Sequence, residues 1–219
     1  MRKIVNVFVL SLVGILVILP LLFFFISEVG GVPVMDGERL IIHAVFIFAC
    51  FAGIITSADG KQLNIEVFSL KLSCRWKAVI ARINNGITAA VLTALFFACF
   101  PNILAVIDPA DRLWGIPIRA LFAALPLMFA AQAFLAVRQR TMLLSSVVGL
   151  AAGLFISSGA IAVIVYTFAG AEWPWLSACT SVWEAACTHL LVPIVLFMIA
   201  AALFGLPLFI VLLAITYTA

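Results

Sequence analysis

Six long apolar stretches make up most of this chain and decide the solvent in which it folds. They cover Ile4–Ile26, Leu40–Ser57, Val79–Phe100, Ile118–Val137, Leu143–Phe168 and Leu190–Tyr217. A helix of about 20 apolar residues crosses a hydrocarbon core roughly 30 Å thick. With 67% hydrophobic and only 10% charged residues, the composition excludes a soluble domain. Because the stretches are continuous rather than alternating, they also exclude a transmembrane β-barrel. We therefore predict an all-α integral membrane protein with about six transmembrane helices.

The basic residues predict the orientation of these helices. If successive loops alternate between the two sides, nine of the twelve lysines and arginines share one side: Arg2, Lys3, Lys61, Lys71, Arg75, Lys77, Arg82, Arg138 and Arg140. The positive-inside rule then places both termini in the cytoplasm. The first stretch is longer than the apolar region of a signal peptide, so we expect it to be a retained helix. The net charge of +3 reflects topology, and no nucleic-acid partner is expected.

The most polar part of the chain, residues 57–78, connects the second and third apolar stretches. Apolar residues recur there at helical spacing, with lysines and arginines at other positions. This pattern predicts an amphipathic helix lying in the headgroup plane on the cytoplasmic side. An ordinary basic loop is the alternative. The predicted membrane-interface anchors are Phe68, Lys71, Arg75, Trp76 and Lys77.

Polar residues in the apolar stretches are sparse, and four stand out: His43, Arg119 and Gln132 within the stretches, and His189 just before the sixth. We expect them to make hydrogen bonds between helices or to reach the membrane surface. They form neither a chain of acidic residues nor a metal-ligand spacing. Accordingly, no catalytic, substrate-binding, metal or cofactor site is predicted in this chain, and it is not expected to be an enzyme.

Two other classes of protein stay open. A membrane enzyme or a redox or haem protein would use His43, His189 and the pair Cys179 and Cys187. These two cysteines fall in the same outward region and could close a disulfide; two separate thiols are the alternative. A stand-alone channel or carrier is less favoured because no charge-lined pore is evident.

The order of motifs over residues 1 to about 140 resembles a known family. Asp36-Gly37-Glu38-Arg39 opens the second apolar stretch, and Gln62-Leu63-Asn64-Ile65-Glu66 follows that stretch. Gly115-Ile116-Pro117 then leads into Ala124-Leu125-Pro126-Leu127. This succession is similar to the small membrane subunit, the DctQ-like or Q subunit, of tripartite ATP-independent periplasmic (TRAP) transporters. Residues 1–140 are thus interpreted as a four-helix small-subunit domain.

The remaining residues, 141–219, resemble the linker helix and the opening of the large TRAP subunit, through Leu191-Val192-Pro193-Ile194 and Gly205-Leu206-Pro207-Leu208. An extended small subunit and an interrupted fusion are both compatible with this resemblance. We expect the glycine and proline at 205–207 to bend the last helix or to begin another element.

The resemblance implies a scaffold subunit of a secondary transporter in the bacterial inner membrane. Its expected partners are a large TRAP membrane subunit, a periplasmic substrate-binding protein and membrane lipids. A sodium gradient would drive uptake of small organic acids, with the sodium sites in the large subunit.

Four charged residues at the outer side are the predicted partner interface: Glu38, Arg39, Arg112 and Arg119. We expect Glu38 to pair with Arg112 or Arg119 near the start of the fourth helix. Ordinary solvated loop charges are the alternative interpretation.

Overall fold

A computed structural model describes residues 2–31, 36–60, 63, 72–138 and 142–218. Nine helices lie within these ranges: α1 Arg2–Glu28, α2 Gly37–Ala58, α3 Cys74–Ala105, α4 Ile118–Phe122, α5 Ala124–Val137, α6 Leu143–Ile156, α7 Ser158–Ala169, α8 Pro174–Leu203 and α9 Leu208–Thr218. Between α3 and α4, the short strands β1 (Arg112–Leu113) and β2 (Ile116–Pro117) pair in an antiparallel hairpin. The predicted all-α membrane class is confirmed.

Among the described residues, four helical segments are long and apolar enough to cross a membrane: α2, α3, α4 with α5, and α8. The pair α6 and α7 qualifies as a fifth if its 63° bend lies within one span. The apolar part of α1, Val13–Glu28, and α9 are shorter. The prediction of six spans with both termini in the cytoplasm therefore stays a prediction.

Local chemistry accounts for the two breaks within predicted helices. Pro126 has no N–H to donate to the carbonyl of Phe122, and α4 ends at that residue. At the other break, the Ser157 hydroxyl donates to the Gly153 carbonyl at 2.8 Å. Such back-bonding by serine favours bending of a helix, and Ser157 lies at the junction of α6 and α7.

Contacts between loops define two ends of the helical bundle. Arg39 at the start of α2 contacts Asp111, in the loop after α3. At the opposite end of α2, the Leu208 N–H donates to the carbonyl of Leu63, in the connection between α2 and α3. We call the end with Asp111 the outer end and the end with Leu63 the inner end. Successive connections along α2 to α5 thus alternate, as the charge analysis assumes.

Helix α3 lies at the centre of the bundle, and α6 packs on it through glycines. An alanine Cβ built at Gly149 would lie 2.2 Å from the carbonyl oxygen of Gly86, and one at Gly153 would lie 2.5 Å from that of Ala90. The two backbones are therefore nearly in contact. Small residues four apart allow this approach in membranes, where packing rather than water drives helix association. The sequence analysis missed this Gly149-x-x-x-Gly153 motif, although its spacing is visible in the sequence.

The last apolar stretch is organised differently from the prediction. Helix α8 begins at Pro174 rather than near Leu190, so it also includes Trp175 and Trp183, which precede the sixth apolar stretch. The predicted interruption at residues 205–207 is confirmed: α8 ends at Leu203, and a turn with Gly205 at φ +94° leads into α9.

Helix α9 returns into the bundle beside α3. The turn before it contacts Asn84, whose side chain donates to the Phe204 carbonyl at 3.2 Å. Its end at Tyr217 lines a cavity shared with Asn102, near the other end of α3. Leu206 and Ile210 are fully buried in the core that α9 forms with α3, α5 and α8. Residues after 141 thus complete the core around α3.

The predicted in-plane helix falls mostly outside the described residues, including Phe68 and Lys71. Its first residues, Ser57 and Ala58, complete α2, and its last residues open α3. Arg75, Trp76 and Lys77 are exposed in the first turn of that helix. Those three anchor residues therefore belong to a transmembrane helix.

The exposed thiol of Cys74, at the first residue of α3, tests the predicted orientation. In a variant with the other cysteines replaced by alanine, we expect a membrane-impermeant maleimide to label Cys74 only from the cytoplasmic side. A matched variant that carries Val106→Cys instead of Cys74 should be labelled only from the outside, since Val106 is 76% exposed at the outer end. The reverse pair of results would invert the topology.

Candidate functional site

An ion pair at the outer end joins α2 to the loop after α3. The Arg39 guanidinium donates to Asp111 at 2.7 Å and lies 3.7 Å from Asp36. Both partners of the short contact are partly exposed, at 45% and 37%, so solvent screens the pair and its contribution to stability is small. Its geometric effect is to fix the loop against the start of α2.

The loop that carries Asp111 is held in place by a tight hairpin. Trp114 and Gly115 have φ of 49° and 82°, the combination found in two-residue hairpin turns. Leu113 is 1% exposed and anchors the hairpin in the protein. The backbone carbonyl of Asp111 accepts from the Ile118 N–H at 3.1 Å, at the start of α4. Asp111 thus contacts α2 through its side chain and α4 through its backbone.

Arg119 binds backbone carbonyls at the outer end of α3. Its Nε donates to the Ile107 carbonyl at 2.9 Å, and its Nη2 donates to the Leu104 carbonyl at 2.8 Å. The last carbonyls of a helix have no partner within the helix, and a cation there is favoured by the helix dipole. Arg119 is therefore a structural residue that ties α4 to α3.

The expected pairing of Glu38 with Arg112 or Arg119 is wrong. Arg119 binds backbone carbonyls, and Arg39 pairs with Asp111 in the loop after α3. Within the described part of the chain, Glu38 and Arg112 make no ion pair, and both are exposed. Asp111 was missed as a partner, although Arg39 and Asp111 both fall in outward loops and have opposite charges. Of the four predicted interface residues, two are engaged within the chain and two are left for solvent or a partner.

The groups proposed for a redox or haem protein are not assembled into a centre. The Nδ1 atom of His43 lies 2.7 Å from the Arg39 carbonyl, and its ring packs edge-on against Phe122. His189 is exposed on α8. No group of three or more metal-ligating side chains occurs among the described residues.

The possible disulfide is excluded by the helix that carries both cysteines. Cys179 and Cys187 are free thiols on α8. Eight residues of helix separate their Cα atoms by about 12 Å, whereas a disulfide requires less than about 7 Å.

The buried amide of Gln132 departs from the expectation of an interhelical hydrogen bond. The residue is 4% exposed on α5, and its Oε1 atom has no hydrogen-bond partner among the described residues. It lines a cavity at the inner end of the bundle.

A family model for the DctQ component of tripartite ATP-independent periplasmic transporters matches residues 28–142. The chain belongs to this family. The match covers just over half of the 219 residues and confirms the resemblance seen in the sequence. Comparisons with curated proteins and with solved structures found no match.

The residues that match the DctQ model include the charged residues at the outer end and the helices that carry them. Helices α2 to α5 lie within residues 28–142, together with the hairpin and the Arg39–Asp111 pair. Helices α6 to α9 lie after the matched residues. Helix α6 packs at Gly86 on α3, which is one of the matched helices. The division of the chain at residue 140 into two domains stays a prediction.

Proposed function

We propose that this chain is the small scaffold subunit of a sodium-driven TRAP transporter in the bacterial inner membrane. It holds the large membrane subunit in place while that subunit carries small organic acids delivered by a periplasmic binding protein. The observation that carries the proposal is the DctQ match over residues 28–142.

The buried polar groups support a scaffold role. In the described part of the chain, every buried polar residue is neutral: Thr93, Gln132, Ser146, Ser157 and Ser158. Ion and proton pathways through membranes normally contain ionisable groups within the spans. The charged residues whose burial the structure describes are instead exposed or partly exposed, as with Arg75 and Asp111.

Reconstitution of purified components tests the proposal. Proteoliposomes would contain this chain alone, the large TRAP membrane subunit of the source organism alone, or both, with the binding protein added outside. We expect a sodium gradient to drive uptake of radiolabelled organic acids only when all three components are present. We also expect the chain to co-purify with the large subunit in a stable complex.

Two results would contradict separate parts of this proposal. Uptake by vesicles that contain only this chain would overturn the scaffold role. Uptake that follows a proton gradient and not a sodium gradient would overturn the proposed driving ion while leaving the subunit assignment intact.

A further inference from the structure

An apolar groove of about 840 Å³ lies between α3 and α6, on the surface of the bundle. Its lining includes Gly86 and Gly149, where the two backbones nearly touch. Ile83 of α3 and Leu144 and Val148 of α6 also line it, and all three side chains are exposed. Because α3 is long and apolar enough to cross a membrane, a groove on its surface faces hydrocarbon rather than water.

The groove has the length of one leaflet. Its lining covers residues 82–90 of α3 and residues 142–152 of α6. Gly149 and Gly153 lie against successively later residues of α3, so the two helices are parallel and both walls run from the inner end toward the outer end. At 1.5 Å per residue the walls are about 12 and 15 Å long. Half of a hydrocarbon core is also about 15 Å thick.

Arg82 lies at the inner end of this groove, at the expected level of the membrane boundary. Its distance along α3 from Leu104, whose carbonyl binds Arg119 at the outer end, is about 33 Å by helical rise. This distance matches a hydrocarbon core roughly 30 Å thick. Trp76 is exposed about 9 Å beyond Arg82 toward the inner end, at the headgroup level where tryptophan is enriched.

The charge of Arg82 has no counter-charge in the described part of the chain. The ion pairs found there involve Arg39 and not Arg82, and the lining of the groove contains no acidic residue. Arg82 is exposed, so its guanidinium can reach an anion at the boundary. A guanidinium binds phosphate oxygens through two parallel hydrogen bonds. An apolar groove that ends at such a cation is complementary to an acyl chain that ends at an anionic headgroup.

We propose that this groove binds one anionic phospholipid from the leaflet at the inner end. The phosphate pairs with Arg82, and one acyl chain lies along Ile83, Leu144 and Val148 toward the middle of the membrane. The lipid thereby covers the surface beside the closest contact of α3 with α6. This site is independent of the transport role proposed above.

Native mass spectrometry of the full chain, purified in detergent and titrated with single lipids, tests the site. The probes are phosphatidylglycerol and phosphatidylcholine with identical acyl chains. We expect the first phosphatidylglycerol to bind about fivefold more tightly than the first phosphatidylcholine, because one arginine at the headgroup favours an anionic lipid by that factor.

Two substitutions test the headgroup contact. Arg82→Met should lower the affinity for phosphatidylglycerol to that for phosphatidylcholine, since the cation at the end of the groove is lost. The matched control is Arg138→Met, which removes an exposed cation after α5 that does not line the groove. It should leave the fivefold preference unchanged.

Two further substitutions test the position of the acyl chain. Val148→Trp places an indole in the groove and should weaken both lipids roughly tenfold, because the chain loses its contacts there. The matched control is Val147→Trp, at the neighbouring residue of α6, which is exposed and does not line the groove. It should change neither affinity. Both valines are exposed, so thermal unfolding of the two variants should show an intact fold.

Three results would overturn the site. Equal affinities of the parent chain for the two lipids would remove the headgroup contact. Equal losses in Arg82→Met and Arg138→Met, or in Val148→Trp and Val147→Trp, would place the lipid elsewhere on the chain. Displacement of the bound lipid when the large membrane subunit is added would assign the groove to a helix of that subunit, whereas a lipid retained in the complex supports the proposal.

Discussion

Replacement of Gly149 by alanine is expected to cause the larger of the two main losses of stability predicted for this protein. The new Cβ would lie 2.2 Å from the Gly86 carbonyl oxygen and 3.0 Å from the Ala89 Cβ. The backbone atom has no rotamer by which to withdraw, so α6 must move away from α3. Overpacking of a core costs about 3 kcal/mol at the upper end of the usual range, which corresponds to a melting temperature lower by roughly 6–12 °C for a chain of this size.

Thermal unfolding of the purified protein in detergent, followed by tryptophan fluorescence, measures this effect. Gly14→Ala is the matched control, because a Cβ on that helical glycine of α1 has nothing within 4 Å. We expect it to be neutral or slightly stabilising, through the higher helix propensity of alanine. The melting temperature of Gly86→Ala should fall between those of the other two variants, since its new Cβ would lie 3.2 Å from the Ser145 carbonyl oxygen. Equal melting temperatures for Gly149→Ala and Gly14→Ala would contradict the close packing of α3 and α6.

Replacement of Arg119 by methionine is expected to loosen the outer end of α3. It removes both hydrogen bonds to the carbonyls of Leu104 and Ile107, and bonds to charged groups contribute about 1.5–3 kcal/mol each when buried. Because Arg119 is only partly buried, we expect a total loss of about 2 kcal/mol and a melting temperature lower by roughly 4–8 °C.

Two further variants distinguish this geometry from a general effect of charge. Arg119→Lys keeps the charge but replaces the planar fork of donors with one ammonium group, so it should recover only part of the loss. Arg112→Met removes an exposed arginine of strand β1, between α3 and α4, and should change the melting temperature by less than about 1–2 °C. If Arg112→Met were as damaging as Arg119→Met, net charge rather than the carbonyl contacts would explain the stability.

The sequence by itself determined that the chain folds in a membrane, that it is helical and that it belongs to the DctQ family. Hydropathy is a local property, since about 20 apolar residues in a row suit a membrane wherever their neighbours lie. For that reason the positions of α2, α3 and the pair α4 and α5 follow the predicted stretches closely. The ordered motifs from Asp36 to Pro126 likewise sufficed to indicate the DctQ component, because they depend on spacing along one chain.

Partnerships between distant residues were decided only by the tertiary structure. Glu38 and Arg39 are adjacent and both near the outer surface, yet Arg39 pairs with Asp111 while Glu38 makes no ion pair among the described residues. Gln132 is one of several polar residues in apolar stretches, and only the structure shows that its Oε1 atom is buried without a hydrogen-bond partner among the described residues.

The close approach of the α6 backbone to the α3 backbone also could not be predicted from the sequence alone. The spacing of Gly149 and Gly153 predicts that another helix can pack closely on α6, but it does not predict which helix that is. That choice depends on Gly86 and Ala90 lying at the matching heights on α3. Spacing along the chain thus set which segments enter the membrane, while complementary shape set which segments touch.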